Sequence, residues 1–285
     1  MRPFIHARML GHWPSATRKD KIMKVTGHLL SALLLVGLGN LAHAQSEFYR
    51  RVTPPGAAEG GIAGAAVLVG REYQGSDEVR VRLLPSIEYQ WANGFFAGGL
   101  NGVGYNASSS PDKAYGVRIT PDFGRKERRS AVLEGLGDID PRPEIGAFYN
   151  FSPARQVTFS SSLRYGSGNS HKGLLVDVGA SWSTTVTPAL RVATTLATTW
   201  ANGEHLQEYF GITAAQSTRS GLAAYSPSGG LKDVRLGVSL FYRLTPEWSL
   251  TGAVSHSELV GDARHSPIVR EKGTVTGVLA VGYSF

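Results

Sequence analysis

The chain closes on Thr274-Val275-Thr276-Gly277-Val278-Leu279-Ala280-Val281-Gly282-Tyr283-Ser284-Phe285. Val275, Gly277, Leu279, Val281, Tyr283 and Phe285 form one alternating set; the residues between them are mostly small or polar. Successive side chains of a strand point to opposite faces, so a period of two writes a strand with two unlike faces. The same period recurs upstream. Val234, Leu236, Val238, Leu240, Tyr242 and Leu244 oppose Arg235, Gly237, Ser239, Phe241 and Arg243. Val79, Val81, Leu83, Pro85, Ile87 and Tyr89 oppose Arg80, Arg82, Leu84, Ser86, Glu88 and Gln90. Tyr115, Val117, Ile119 and Phe123 alternate with Gly116, Arg118, Thr120 and Asp122, and Leu174–Trp182 repeats the rule around Asp177.

A soluble sandwich gives this alternation too. Three features select a membrane barrel. The segments run about 10 residues, the length that crosses a bilayer at a tilt, whereas soluble strands average about 5–6. Aromatics gather near segment ends, including Tyr89, Trp91, Phe95, Tyr149, Trp182, Trp248 and Tyr283, as interface girdles do. The last strand also ends on an outward aromatic, so Tyr283 and Phe285 read as an outer-membrane assembly signal for the barrel-assembly machinery. The fold expected is all-β: a closed antiparallel transmembrane barrel. Closure is what lipid demands, because every backbone N–H and C=O must be paired internally and only a closed sheet has no edge.

Eleven segments qualify: 62–71, 79–90, 95–105, 113–124, 143–151, 156–166, 171–185, 190–201, 231–244, 249–259 and 273–285. A bacterial barrel with both termini on one side needs an even count. Ser152-Pro153, Thr187-Pro188 and Thr245-Pro246 are two strands apart and share the periplasmic side with Phe285. Ala92-Asn93-Gly94 should join them but lies three strands from Pro153. One strand is therefore miscounted between residues 95 and 143; ten or twelve fit, with twelve favoured. Segment 202–230, with a short helix over Thr213–Arg219, and segment 260–270 fall outside the cell. The side of segment 125–142 depends on the miscount.

The 285 residues carry 29 Lys+Arg against 22 Asp+Glu, a formal charge of +7. Residues 1–44 hold six of the basic side chains against the single Asp20. There Met23-Lys24 precedes an apolar run ending at Leu41-Ala42-His43-Ala44, the form of a secretory signal peptide. The expected division is a start-site artefact at 1–22, a signal peptide at 23–44, a short periplasmic segment at 45–60 and the barrel at 61–285. Beyond residue 44, 23 basic and 21 acidic residues remain, which removes nucleic acid as a partner. Membrane lipid is the surrounding expected of the outward faces. No later segment approaches 18 continuous apolar residues, so no transmembrane helix is expected.

The absence of cysteine excludes a disulfide frame and a thiol nucleophile. The eight histidines show no metal spacing, so no metal or other cofactor is expected. Gly168-Asn169-Ser170-His171-Lys172 lacks the last glycine of a nucleophile elbow. On one strand, His171 and Asp177 would lie about 20 Å apart, so they make no dyad. Gly99-Leu100-Asn101-Gly102-Val103-Gly104 reads as a glycine-rich strand, with no helix after it to hold a phosphate. No catalytic residue emerges. The inward charges Arg80, Arg82, Glu88, Arg118, Asp122, Arg164, Asp177, Arg235 and Arg243 admit two readings. They line an anion-selective lumen, or they pair across neighbouring strands and fill a narrow barrel; the second is favoured.

Short loop motifs carry a family likeness. They are Tyr73-Gln74-Gly75-Ser76-Asp77, Phe123-Gly124-Arg125, Gly135-Leu136-Gly137-Asp138-Ile139 and His171-Lys172-Gly173. Tyr209-Phe210-Gly211-Ile212-Thr213, with Gln216 and Ser220-Gly221, and Gly261-Asp262-Ala263 followed by Ser266-Pro267 complete the set with the closing Gly282-Tyr283-Ser284-Phe285. In this order the chain resembles the MipA/OmpV family of outer-membrane proteins across residues 60–285. The resemblance implies a Gram-negative outer-membrane barrel that is not an enzyme. It implies a scaffold bridging a membrane-bound lytic murein transglycosylase and a bifunctional murein synthase. A small-solute or anion channel is the alternative.

Overall fold

Alternation of apolar and small residues leaves each segment one face for lipid and one for the interior, and pairing to closure is the only arrangement without an edge. The computed structural model describes residues 54–99 and 101–285; the expected leader and start site lie outside them. Twelve antiparallel strands close into a barrel in which β1 pairs with β12 and every other strand with its sequence neighbours. They are β1 (Gly60–Arg71), β2 (Val79–Gln90), β3 (Phe95–Gly98), β4 (Gly102–Asn106), β5 (Lys113–Asp122) and β6 (Arg142–Ala154). β7 (Val157–Ser167), β8 (Gly173–Thr185), β9 (Leu190–Ala201), β10 (Gly230–Arg243), β11 (Trp248–Leu259) and β12 (Gly273–Ser284) complete the wall.

The miscount is resolved at residues 95–105, which are two strands rather than one. Phe95 to Gly98 pairs with Tyr105 to Gly102 as a hairpin inside the wall. Gly102 makes the turn: its φ is +74°, and a Cβ there would stand 2.0 Å from the Ile119 carbonyl oxygen. The glycine-rich stretch thus holds the turn at Gly99 and Asn101, and its second half, Gly102 to Gly104, opens β4. Segment 125–142 falls, in consequence, on the same side as 202–229 and 260–272, away from Phe285. Other bounds shift by one to three residues, mostly at strand ends. β8 begins only at Gly173, so His171 is a loop residue, at φ +58°, and not on the Asp177 strand.

The outward set meets the lipid. Val79, Val81, Leu83, Val117, Ile145, Leu236, Val254, Val275 and Leu279 are all exposed. Near the periplasmic end the aromatics touch one another: Tyr89 with Trp91 at 4.9 Å, Tyr89 with Phe285 at 6.1 Å, Phe95 with Tyr105 at 5.0 Å and Trp248 with Tyr283 at 5.2 Å. Phe285 seals the β1–β12 seam there, since it exchanges backbone hydrogen bonds with Gly61 at 2.9 and 3.1 Å.

Candidate functional site: the capped outer end and the lumen

Periplasmic turns are short, whereas the connections at the other end are long and fold on one another. Segment 202–229 carries two helices, α1 (Gly203–Phe210) and α2 (Ala214–Ser220). Asn202 caps α1 by accepting from the His205 N–H, and Thr213 with Gln216 forms a capping box on α2. The second helix is the one expected from Thr213–Arg219; the first is additional, and its Glu204 and Leu206 have too few turns around them to display a period. Two apolar clusters hold the loops together. Leu206 and Phe210 of α1 pack with Leu175, Ala201, Leu259 and Ala263. Tyr73, Leu133, Leu136, Ile212 and Ile268 form the other.

The motif residues are the pins of this cap. The Tyr73 hydroxyl donates to the Ile268 carbonyl at 2.9 Å, and the Gly75 carbonyl accepts from Arg270 N–H at 2.7 Å. Ser76 is buried and its Oγ accepts from Glu78 N–H at 3.0 Å, while the Asp77 carbonyl accepts from Arg71. Arg125 and Ile139 form a bridge, and Arg125 Nη1 donates to the Tyr209 carbonyl at 2.6 Å. Tyr209 reaches the Asp122 carboxylate with its hydroxyl, and Gly168 N–H adds a bond to the same group at 2.9 Å. Asp138 accepts from Glu127 N–H at 2.8 Å and from Lys126 at 3.1 Å. Glu127 in turn accepts from Gly137 N–H, and the Gly135 carbonyl accepts from Arg219 at 3.1 Å. Ser266 donates to the Phe210 carbonyl, the Gly211 N–H caps α1, and Asp262 accepts from Tyr225 and from Ser228 N–H. Gly124 and Gly261 take positive φ in these loops, Pro267 precedes the buried Ile268, and Gly173 starts β8 against Ser167. His171 stands exposed at a turn.

Burial sets the protonation of these loop groups. The Tyr73 phenol is pushed up to about 12, chiefly by burial, against the pull of Arg125. Tyr209 is raised well above the ordinary phenol value by burial and by the Asp122 carboxylate. Asp138 is held below the usual carboxylate range, first by the Glu127 backbone N–H.

Inside the outer half of the barrel, the sequence-predicted charges meet. Arg164 bridges Glu144 at 3.0 Å and Asp177 at 3.1 Å; Arg235 pairs with Asp177 at 3.5 Å and with Asp233, and Lys232 with Asp233 at 3.2 Å. Thr199 stands opposite Asp177 in register and donates to it at 2.7 Å. This ribbon crosses β6 to β10, with three carboxylates against three cations. Arg118 donates to Ser162 at 2.8 Å and lies 5.5 Å over the Phe148 ring. Arg80 and Arg82 both reach Glu72, at 3.0 and 3.5 Å. Asp122 belongs to the cap. Glu88 is half-buried lower on β2, and Arg243 is exposed at the periplasmic mouth, where it donates to the Pro188 carbonyl at 2.9 Å. Of the partners that the sequence reading does not name, Glu72 lies just beyond segment 62–71, whereas Glu144, Lys232 and Asp233 lie within the ends of segments 143–151 and 231–244. Asp233 shares the parity of Arg235, a signal that could have found it.

One pairing was not anticipated. Ser167 Oγ lies 2.8 Å from His205 Nδ1, the spacing of a nucleophile and its base. Both are buried under the cap, and the His205 ring stacks on Tyr209 at 4.6 Å. The pair ties β7 to α1. No cluster of metal-ligating side chains occurs among the described residues.

A capped barrel with these loop motifs matches a known family. The family model described as MltA-interacting protein MipA covers residues 63–285. The chain belongs to the MipA family. It is similar to the MltA-interacting proteins of Escherichia coli (strain K12) and Shigella flexneri, 28% identical over 101 residues, which is 35% of this chain and 37% of each relative. The chain thus spans little more than a third of the length of the curated relatives it matches. Among solved structures it is similar to the KdgM porin, at 12% identity and TM-score 0.44 over 79% of this chain and 99% of that one. The NanC porin gives 12% and 0.44 over 77% and 98%. As a closed MipA-family barrel, the protein belongs to the outer membrane of a Gram-negative bacterium.

Proposed function

We propose that this MipA-family barrel is a non-enzymatic scaffold that holds murein-cutting and murein-building enzymes at its periplasmic mouth. The observation that carries the reading is the match over residues 63–285 to a family named for its interaction with MltA. The unequal ends of the molecule support it. Outer loops are consumed in packing against each other, while the short turns around Asn93, Arg155, Pro188 and Glu247 stay on the periplasmic side. Residues 23–44 would export the chain, Tyr283 and Phe285 would present it to the barrel-assembly machinery, and lipid would surround the outward faces.

The competing reading, a small-solute or anion channel, needs an open path and unneutralised charge. Balanced ion pairs across β6–β10 and the apolar cap both count against it. Two measurements test the scaffold. The full chain, immobilised in detergent, should retain a membrane-bound lytic murein transglycosylase, and Arg155→Ala with Glu247→Ala should weaken that retention at least tenfold; no retention sinks the idea. In planar bilayers the barrel should give no steady current. An anion-selective current reduced by Arg82→Ala and Arg235→Ala would favour the channel instead.

A further inference from the structure

The hairpin that completes the strand count also leaves the wall incomplete. β3 and β4 have four and five residues, and β2 pairs with β3 only at Glu88, Tyr89 and Gln90. β4 meets β5 from Val103↔Ile119 to Asn106↔Gly116. Above the hairpin turn, Val79 to Ser86 of β2 face no strand on that side among the described residues. No strand lies between β2 and β5 above that turn among the described residues. The upper border is the segment after β5, tied across by Ser130 to Glu78 at 3.0 Å and by Arg129 to Glu72 at 3.6 Å. The result is a window in the outer half of the wall.

Both lips are chemically marked. The Ile87 carbonyl accepts from Gly99 N–H at 3.2 Å, so the odd-numbered residues of β2 turn their peptide groups toward the gap. The Tyr115 carbonyl accepts from Ala107 N–H at 2.8 Å, which assigns the odd residues of β5 to the same side. Pro85 and Pro121 therefore each stand where an N–H would point into the window. Proline at an edge removes the donor a further strand would need. An inserted strand is disfavoured, yet the peptide groups of Val81 and Leu83 point into the gap with no strand partner. They call for a polar ligand or water in the gap. Among the described residues Leu83 is the most exposed large hydrophobic one, at 75%. At the top of β2, three arginines, Arg80, Arg82 and Arg129, converge on the one carboxylate of Glu72. The buried Arg82 Nε and Arg129 Nη1 have no hydrogen-bond partner, and the Arg80 side chain is 47% exposed.

We infer that the window binds a phosphate-bearing acyl lipid of the outer leaflet, with its phosphate on Arg80, Arg82 and Arg129 and its chains along Val81, Leu83 and Pro85. Three arginines against the carboxylates of Glu72 and Glu78 leave one positive charge in excess, which selects the headgroup, and the apolar lip below it selects the tail. This binding is independent of any periplasmic scaffold role.

The test is native mass spectrometry of the full chain released from micelles, with folding checked by heat-dependent gel mobility. The probes are a diphosphorylated acylated disaccharide, the same lipid without phosphates, and inorganic phosphate. The phosphorylated lipid should be retained at least tenfold more than its dephosphorylated form, and Arg80→Gln with Arg82→Gln and Arg129→Gln should remove the difference. If the triple variant does not fold, Arg80→Gln alone should still reduce it severalfold. Leu83→Asn should lower retention of both lipids, whereas Leu236→Asn, on a fully paired strand, should not. Equal retention of the two lipids would overturn the proposal, as would displacement by inorganic phosphate alone. So would a Leu83→Cys variant of this cysteine-free chain that crosslinks to a second copy through the window.

Discussion

Asp177 shows what a single residue contributes when the sheet decides its neighbours. Register places Thr199 opposite it; Arg164 reaches it diagonally from neighbouring β7, and Arg235 from β10, one strand beyond β9. A carboxylate in that position is tolerable because each of its oxygens has a cationic partner. Arg164→Gln leaves Glu144 and Asp177 without their shared cation and should cost about 3–5 kcal/mol, read as a lower urea midpoint in micelles. In the cap, the phenols of Tyr73 and Tyr209 stay protonated longer than free tyrosine. The folded Tyr73 value of about 12 lies above the ordinary value of about 10. Its contribution is therefore complete below pH 10 and is lost as pH rises through 12. Absorbance titration should show late phenols, and Tyr73→Phe should remove one of them; an unchanged late step would contradict the buried assignment.

At the scale of elements, the short β3–β4 hairpin and the capped helices part company with the alternation that wrote the rest. A β-branched side chain at Gly102 meets both the left-handed backbone and the Ile119 carbonyl. Gly102→Val should cost at least about 1–2 kcal/mol from conformation alone, and the folded, heat-modifiable band should diminish. Phe95, Ala97, Val103 and Tyr105 share one parity, so the alternation resumes in phase even though the chain reverses between the two arms. Only the glycine run and the positive φ of Gly102 mark the turn, and glycine is equally common in barrel interiors. The loop motifs were legible as a set, but their packing was not. Tyr73 meets Ile268 across 195 positions of sequence, which no local pattern encodes.

For the whole molecule, closure is the central event, and it is finished at the β1–β12 seam where Phe285 bonds Gly61 and lies against Tyr89. Removing Phe285 should slow assembly in cells, leaving more unfolded precursor in pulse-chase labelling, while the refolded barrel loses little stability. Equal assembly rates would deny the terminal aromatic its signal role. The sequence by itself determined the barrel class and the alternating strand faces, because period two and membrane-length strands follow from backbone geometry and lipid alone. It did not determine which charges pair, that the outer loops pack on one another, that Ser167 meets His205, or that β2 loses its second neighbour beside Pro85. Those features depend on inter-strand register and on loops meeting across the barrel mouth, and only tertiary structure brings such distant residues within bonding distance.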